Sequence, residues 1–248
     1  DNYFYNHTNI AISVLLQESI LIDNNTISMD TVCASNSIGI KAFSTRMLPQ
    51  ISNNKFNGKV LHGILWDDHG GGPYTRGKIF NNMIHNYGTQ AYCCIGASSA
   101  SSYIDVINNS ALLEGATMSY NTACDIGGAH SRVYNNIFSN TGNGSAFSPY
   151  SNSTLEASDN NIFYAPTSNF IHNSQYADIL AWRSATGFDM HSFQTTPNFI
   201  SPTDLHVGIN YFAKNNGTPS FLSYISKDID NEIRDSNPDI GADEYNLT

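Results

Sequence analysis

A short phrase recurs along this chain at the spacing of a solenoid. Asn, or Asn-Asn, is followed two residues later by a large apolar side chain: Asn2-Tyr3-Phe4, Asn25-Thr26-Ile27, Asn54-Lys55-Phe56, Asn82-Met83-Ile84, Asn136-Ile137-Phe138 and Asn161-Ile162-Phe163, with a weaker copy at Asn109-Ser110-Ala111. The anchors are separated by 23, 29, 28, 27, 27 and 25 residues. Self-similarity at this period marks a stack of small units, each burying its apolar face against the next.

The flanking residues decide between helical and strand repeats. Three positions before the anchor stand Ile22, Ile51, Ile79, Val106 and Val133, all β-branched and suited to a packed strand, with Ser158 in the sixth copy. Two apolar columns therefore flank a bend. Asn suits that bend because it tolerates left-handed backbone angles. Stacked in successive coils, its amides can also form a ladder. A helical solenoid would need apolar spacing near 3.6 and few β-branched residues or Asn. The expected fold is all-β: a right-handed parallel β-helix of about six to seven coils. Residues 1–165 form the coils and 166–248 a C-terminal cap packed on the solenoid. Further strands are expected at Ser37–Ser44, Val60–Asp67, Gln90–Ala97 and Gly115–Tyr120. The Gly and Ser clusters at Ser98–Ser102 and Gly142–Ser145 are read as turns. In the cap, Tyr176–Thr186 reads as a helix closed by Gly187.

Composition narrows the partners. Lys+Arg number 11 against 21 Asp+Glu, a net charge of −10, which disfavours nucleic acid and anionic lipid. No apolar run approaches membrane-spanning length, so membrane insertion is not expected. Hydrophobic residues at 40% and aromatics at 12% are enough for a packed core. Asp1-Asn2-Tyr3 does not read as a signal peptide, and the chain starts as if inside a repeat, so upstream sequence is expected. Cys33, Cys93, Cys94 and Cys124 lack metal-type spacing; they read as buried thiols, with a bridge between coils as the alternative. The tripeptides Asn6-His7-Thr8, Asn152-Ser153-Thr154 and Asn216-Gly217-Thr218 fit the glycosylation pattern but are expected by chance in so Asn-rich a chain.

The C-terminal third carries Trp182-x-x-x-Thr186-Gly187-x-Asp189-x-His191-Ser192, Thr196-Pro197-x-Phe199, Asp204-Leu205-His206-Val207, Gly217-Thr218-Pro219, Asp228-x-Asp230-Asn231-x-x-Arg234 and Asp239-Ile240-Gly241-Ala242-x-Glu244-Tyr245. This run resembles the C-terminal region of secreted bacterial β-helix repeat proteins with a choice-of-anchor Q domain, over about 85 residues. Leu222 and Asn231 depart from it, standing where that family usually has Asp and Gly. The resemblance implies an exported or cell-surface protein, with a sorting signal beyond Thr248, further domains or an outer-surface anchor. Asp228, Asp230 and Glu232 could suggest calcium, but the full twelve-residue loop is absent and Arg234 sits close by; a structural turn and ion pair is the expectation, with no cofactor and no metal.

Two groups could carry chemistry. The first is the elaborated loop Trp66-Asp67-Asp68-His69-Gly70-Gly71-Gly72-Pro73-Tyr74-Thr75-Arg76. It joins two carboxylates, an imidazole and an arginine to two rings, residue types that glycoside hydrolysis uses. β-Helical polygalacturonase-like hydrolases use similar residues at wider spacing. Adjacent Asp67 and Asp68 would face opposite sides of a strand unless the backbone bends. The second is a column four positions before the anchors, Gln50, Lys78, Asp105 and Arg132, with Phe80, Ile107 and Tyr134 two positions on. It reads equally as a stabilising charge ladder or as the base and carboxylate-neutralising cation of a uronate lyase. His130, Asp125 and Glu114 read as structural or simply exposed.

Two functions follow from different classes. One is an extracellular β-helix that binds polysaccharide or cell-surface glycan and cleaves it by hydrolysis or elimination. Asp67, Asp68, His69, Arg76, Lys78, Asp105 and Arg132 would be its working groups, and Trp66, Tyr74 and Tyr134 its sugar platforms. The other is a non-catalytic structural or adhesive module of a larger surface protein. An open groove shared by these residues would favour the enzyme; a column roofed by the C-terminal segment would count against it.

Overall fold

A computed structural model describes residues 2–30, 36–151, 154–167, 170–171, 176, 178–209 and 212–245. Each coil contributes one strand to each of three parallel sheets, and about seven turns form a parallel β-solenoid. Sheet 1 contains Asn2–Tyr5, Asn25–Met29, Lys55–Gly58, Met83–Tyr87, Ser110–Glu114, Ile137–Asn140 and Ile162–Tyr164, and is extended by Phe193–Gln194. Sheet 2 runs from Ile10–Leu15 through Ile38–Phe43, His62–Asp67, Cys93–Ala97 and Thr122–Ile126 to Ser145–Pro149. Sheet 3 holds Leu21–Asp23, Gln50–Ser52, Gly77–Phe80, Ile104–Ile107, Ser131–Tyr134 and Leu155–Asp159. The expected strand at Gly115–Tyr120 lies instead at Thr122–Ile126. Gly115 is left-handed (φ 72°) and turns the chain out of sheet 1, leaving Met118 and Tyr120 exposed on the connection.

The anchor register holds residue for residue. Phe4, Ile27, Phe56, Ile84, Ala111, Phe138 and Phe163 pair in succession, as do Ile22, Ile51, Ile79, Val106, Val133 and Ser158. Between these columns, Asn25, Asn54, Asn82, Asn109, Asn136 and Asn161 form an unbroken amide ladder. Each Nδ2 donates to the next Oδ1 at 2.9–3.1 Å. The same Oδ1 takes the backbone N–H of the preceding anchor at 2.9–3.1 Å. From Asn54 onward the amide also reaches back to the carbonyl of the β-branched residue one coil earlier, so one side chain ties three coils. The ladder ends on the buried carboxylate of Asp189, which accepts from Asn161, Ser158, Ser192 and the Trp182 indole.

The two Asn of each pair divide the labour. The left-handed residue is the first: Asn24, Asn53, Asn81, Asn108, Asn135 and Asn160 have φ of 51–55°. Its side chain points away from the core, and from Asn81 onward it grips the C-terminal segment. Asn81 Nδ2 donates to Lys227 O at 2.7 Å, Asn108 to Gly241 O at 3.1 Å, Asn135 to Thr218 O at 3.0 Å and Asn160 to Asn216 O at 2.9 Å.

The C-terminal region therefore has two parts. Helix α1, Ile179–Thr186, is capped by Asp178 and by left-handed Gly187 (φ 75°), and its buried Trp182 closes the end of the core. Phe138, Phe147, Phe163 and Phe170 lead to that plug with ring centroids 5.5–6.2 Å apart. Beyond Gln194 the chain becomes a strap along the side of the stack. Its antiparallel pair Phe199–Ser201 and Asp204–Val207 packs on the outer face of sheet 1, while Phe221 and Ile225 pack on sheet 3. Asp228 holds the expected turn by accepting the N–H groups of Asp230 and Glu232 at 2.9 and 2.8 Å. The ion pair of Arg234 goes to Glu244, at 3.1 Å, rather than to that turn. Gly241 (φ 111°) admits the Ile240–Ala242 chain against Ser110 and Ile137, where a Cβ would lie 2.8 Å from Ile137 Cδ1.

Asn109→Ala removes one rung: the buried Asn82 N–H and amide lose their acceptor, and the Ile79 carbonyl loses a donor. It is expected to lower stability by about 3 kcal/mol, since each orphaned buried group costs about 1–3 kcal/mol. Urea unfolding of the two proteins measures the difference.

Candidate functional site

The elaborated loop is largely spent on the fold. Trp66 is fully buried in the core, where its indole donates to Thr45 Oγ1 at 2.8 Å, so it cannot serve as a sugar platform. Asp67 ends its strand, and Asp68 adopts φ 57°, the bend that frees the pair from strand alternation. The Asp68 carboxylate takes the Ser44 hydroxyl and lies 3.8 Å from Arg46. His69 is buried, with Nδ1 3.0 Å from Thr45 O and Nε2 3.2 Å from Thr75 O. Burial lowers its pKa despite those two carbonyls. Of the three expected platforms only Tyr74 is open, at 91% exposure.

The column keeps its register, Gln50–Lys78–Asp105–Arg132, but not the expected pairing. Buried Asp105 is gripped by Arg132 at 2.5 and 2.8 Å and by Arg76 at 2.5 Å. Arg76, buried at the end of the loop, also binds Glu156 at 3.0 Å and His130 O at 2.6 Å. Lys78 turns instead to Tyr224 of the strap, with Nζ 4.2 Å from the ring centroid. Phe80, Ile107 and Tyr134 lie beneath Phe221 and Ile225, which removes Tyr134 from the sugar-facing surface. Asp67 and Asp68 sit at the sheet 2 side of the coil, His69 and Arg76 are internal, and Lys78, Asp105 and Arg132 lie under or beside the strap. These seven residues do not share one open groove among the described residues.

The surface that sequence reasoning missed is the outer face of sheet 1 in the first coils. There Tyr3, Thr26, Lys55 and Met83 form one outward column, and Tyr5, Ser28, Asn57 and His85 the next. Tyr3 and Tyr5 are 84% and 69% exposed. A hollow of about 370 Å³ opens between these strands and the Thr203–His206 hairpin. His85 is held by Asn57 at 2.7 Å and Glu114 at 3.1 Å, and its ring stacks on Tyr87 with centroids 4.8 Å apart. On the rim, His206 Nδ1 binds Asp204 and Nε2 lies 2.5 Å from Asp230, which also pairs with Lys55 at 2.8 Å. Burial opposes the charge on His206, but its bonds to Asp204 and Asp230 outweigh that and raise its pKa. Burial likewise opposes ionisation of Asp230, yet Lys55 and His206 hold its carboxyl below the usual range. Neighbouring Asp243 is pushed the other way by burial. Strand alternation about the inward Phe4 turns Tyr3 and Tyr5 outward; the hairpin that walls the hollow has no counterpart in the repeat.

A larger hollow of about 740 Å³ lies between α1 and the strap. Its Arg183 is committed to the carbonyls of Asp189 and Ser192, and its His191 to Asp159. No protein-family model matches this chain, and no curated protein matches it.

The described cysteines behave as buried thiols. Cys93, Cys94 and Cys124 are free, and Cys33 lies outside the described residues, as do Asn152 and Ser153. Cys94 faces the core; Cys93 faces outward under Tyr92, with its Sγ 3.1 Å from His62 Nδ1. Burial raises the Cys93 thiol, while burial and Lys41 lower His62 to about 4, so this is a neutral pair rather than a thiolate–imidazolium couple. A histidine whose pKa falls on folding stabilises the fold fully above its unfolded pKa near 6.5, and that contribution is lost as pH falls toward about 4. Acid titration of stability should therefore show a loss of up to about 3 kcal/mol across this window, at about 1.4 kcal/mol per pKa unit. His62→Gln should flatten it.

Proposed function

We propose that this chain is a glycan-binding module of a secreted or cell-surface β-helix protein, holding polysaccharide on the open outer face of sheet 1 without cleaving it. The observation that carries this reading is the exposed pair Tyr3 and Tyr5, set beside the hydroxyl and amide groups of Thr26, Ser28 and Asn57. Aromatic faces suit the apolar side of a sugar ring, and the neighbouring polar groups suit its hydroxyls. Successive strands stand about 4.8 Å apart, so the two rings are followed at that spacing by Thr26 and Ser28 and then by Lys55 and Asn57. The export assignment rests on the resemblance of the C-terminal region to bacterial choice-of-anchor Q proteins. Among the described residues no helix is long and apolar enough to cross a membrane.

Cleavage is left out because the groups first considered for it are engaged elsewhere. Asp105 is neutralised by two guanidiniums and His69 is buried between carbonyls. The competing reading, a purely structural or adhesive module, is favoured by the strap, which covers the outer faces of sheets 1 and 3 in the later coils.

A glycan array followed by titration with the best ligand tests the proposal. Tyr5→Ala should weaken binding about tenfold, the equivalent of about 1.4 kcal/mol. Asp68→Asn and Lys78→Ala should leave binding unchanged and release no product. Absence of binding across a broad array would favour the structural module; product formation that Asp68→Asn abolishes would restore the enzyme.

A further inference from the structure

We propose that His206, Asp230 and Asp243 form a binding site for one borderline divalent cation of the Zn²⁺ type, where the strap meets the rim of the sheet 1 hollow. One donor atom from each lies within 4.8 Å of the others. Zn²⁺ holds nitrogen and oxygen ligands at about 2.0–2.2 Å, so donors at tetrahedral angles sit about 3.4 Å apart. Side-chain rotations that move the donors by about an ångström, closing the widest pair and parting His206 Nε2 from Asp230, bring the three onto one ion.

The donor set distinguishes this place from an ordinary acidic patch. It contains an imidazole nitrogen, and His206 Nδ1 is already bound to the Asp204 carboxylate. That arrangement fixes the ring and directs Nε2 toward Asp230 and Asp243, as outer carboxylates do for metal-bound histidines. Asp230 is divided between two tasks: Oδ1 receives Lys55 at 2.8 Å, and Oδ2 lies 2.5 Å from Nε2. That contact occupies the direction an ion would take, so binding replaces it. Asp243 brings an oxygen with no cationic hydrogen-bond partner among the described residues. Its Oδ2 accepts the Val207 N–H, at 3.2 Å, while Asp228 and Asp230 crowd it with like charge. Lys55 partly offsets that crowding and sets a limit on affinity.

An imidazole with two carboxylates favours Zn²⁺ over Ca²⁺ or Mg²⁺, which take all-oxygen sets of higher number. Three protein ligands leave a fourth position for water. The ligands come from the hairpin, the 228–232 turn and the final segment, so an ion would tie together three parts of the strap. This inference does not depend on glycan binding.

The test is calorimetric titration of the full chain with Zn²⁺ after chelator treatment, with NMR of the histidine ring signals in the unmutated protein. One saturable Zn²⁺ per chain is expected, with the His206 ring signals shifting in step. His206→Gln and Asp243→Asn should each weaken uptake at least tenfold, and Asp204→Asn should weaken it through the ring's orientation. Circular dichroism confirms that the variants are folded, and the ring signals decide the matter if they are not. Absence of saturable uptake, Ca²⁺ bound in preference to Zn²⁺, unmoved His206 signals, or uptake unchanged in both ligand variants would overturn the site.

Discussion

A buried amide cannot be left without partners, and this fold is organised around meeting that demand. At every coil the chain bends between sheets 3 and 1, leaving carbonyls and N–H groups inside the stack. The anchor asparagine answers them with a single side chain: its oxygen takes two donors from the coil before, and its nitrogen serves its own coil, the previous coil and the next anchor. Each anchor before Asn161 is satisfied by an asparagine in the same register on the next coil. A strand slip would orphan the amide as well as invert the apolar faces, so the ladder also sets the register.

The end of the ladder follows from the same demand. A final asparagine would have no acceptor beyond it, and the chain supplies Asp189, a side chain that only accepts when ionised. Four donors converge on it: two hydroxyls, the Asn161 amide and the Trp182 indole. These bonds lower its pKa against burial, which still prevails and holds it above the ordinary value. The plug of the core and the terminus of the ladder are thereby one device. On the outside, the left-handed asparagines dock the strap. That docking decides which faces remain open: sheet 3 loses its Phe80–Ile107–Tyr134 stripe to Phe221 and Ile225, and sheet 1 is left bare in the early coils.

Much of this was legible in the chain because the repeat is a one-dimensional code. The anchors, both apolar columns and the alignment of Lys78, Asp105 and Arg132 follow from counting, since parallel coils stack without offset. The helix was legible for a different reason, its Gly187 cap, although it begins at Ile179 behind an Asp178 cap rather than at Tyr176. What escaped is what depends on contacts distant in sequence. Arg76 reaches Asp105 across 29 residues and Lys78 meets Tyr224 through the strap, so an aligned charge column became a buried cluster beside a covered lysine. The two members of each Asn pair looked equivalent, although only the first is left-handed and only the second forms the ladder. Tyr3 and Tyr5 carried no catalytic residue type to draw attention to them.

The central claim is this division between paired asparagines, and native-state hydrogen exchange tests it most directly, on Asn135→Ala and Asn136→Ala side by side. Asn135→Ala should accelerate exchange in the strap, at the Thr218 amide bound to the Asn135 side chain, and leave Ile137 and Ile162 in sheet 1 protected. Asn136→Ala should expose the sheet 1 amides of the coils on either side. Equal effects of the two substitutions on the same amides would contradict the account.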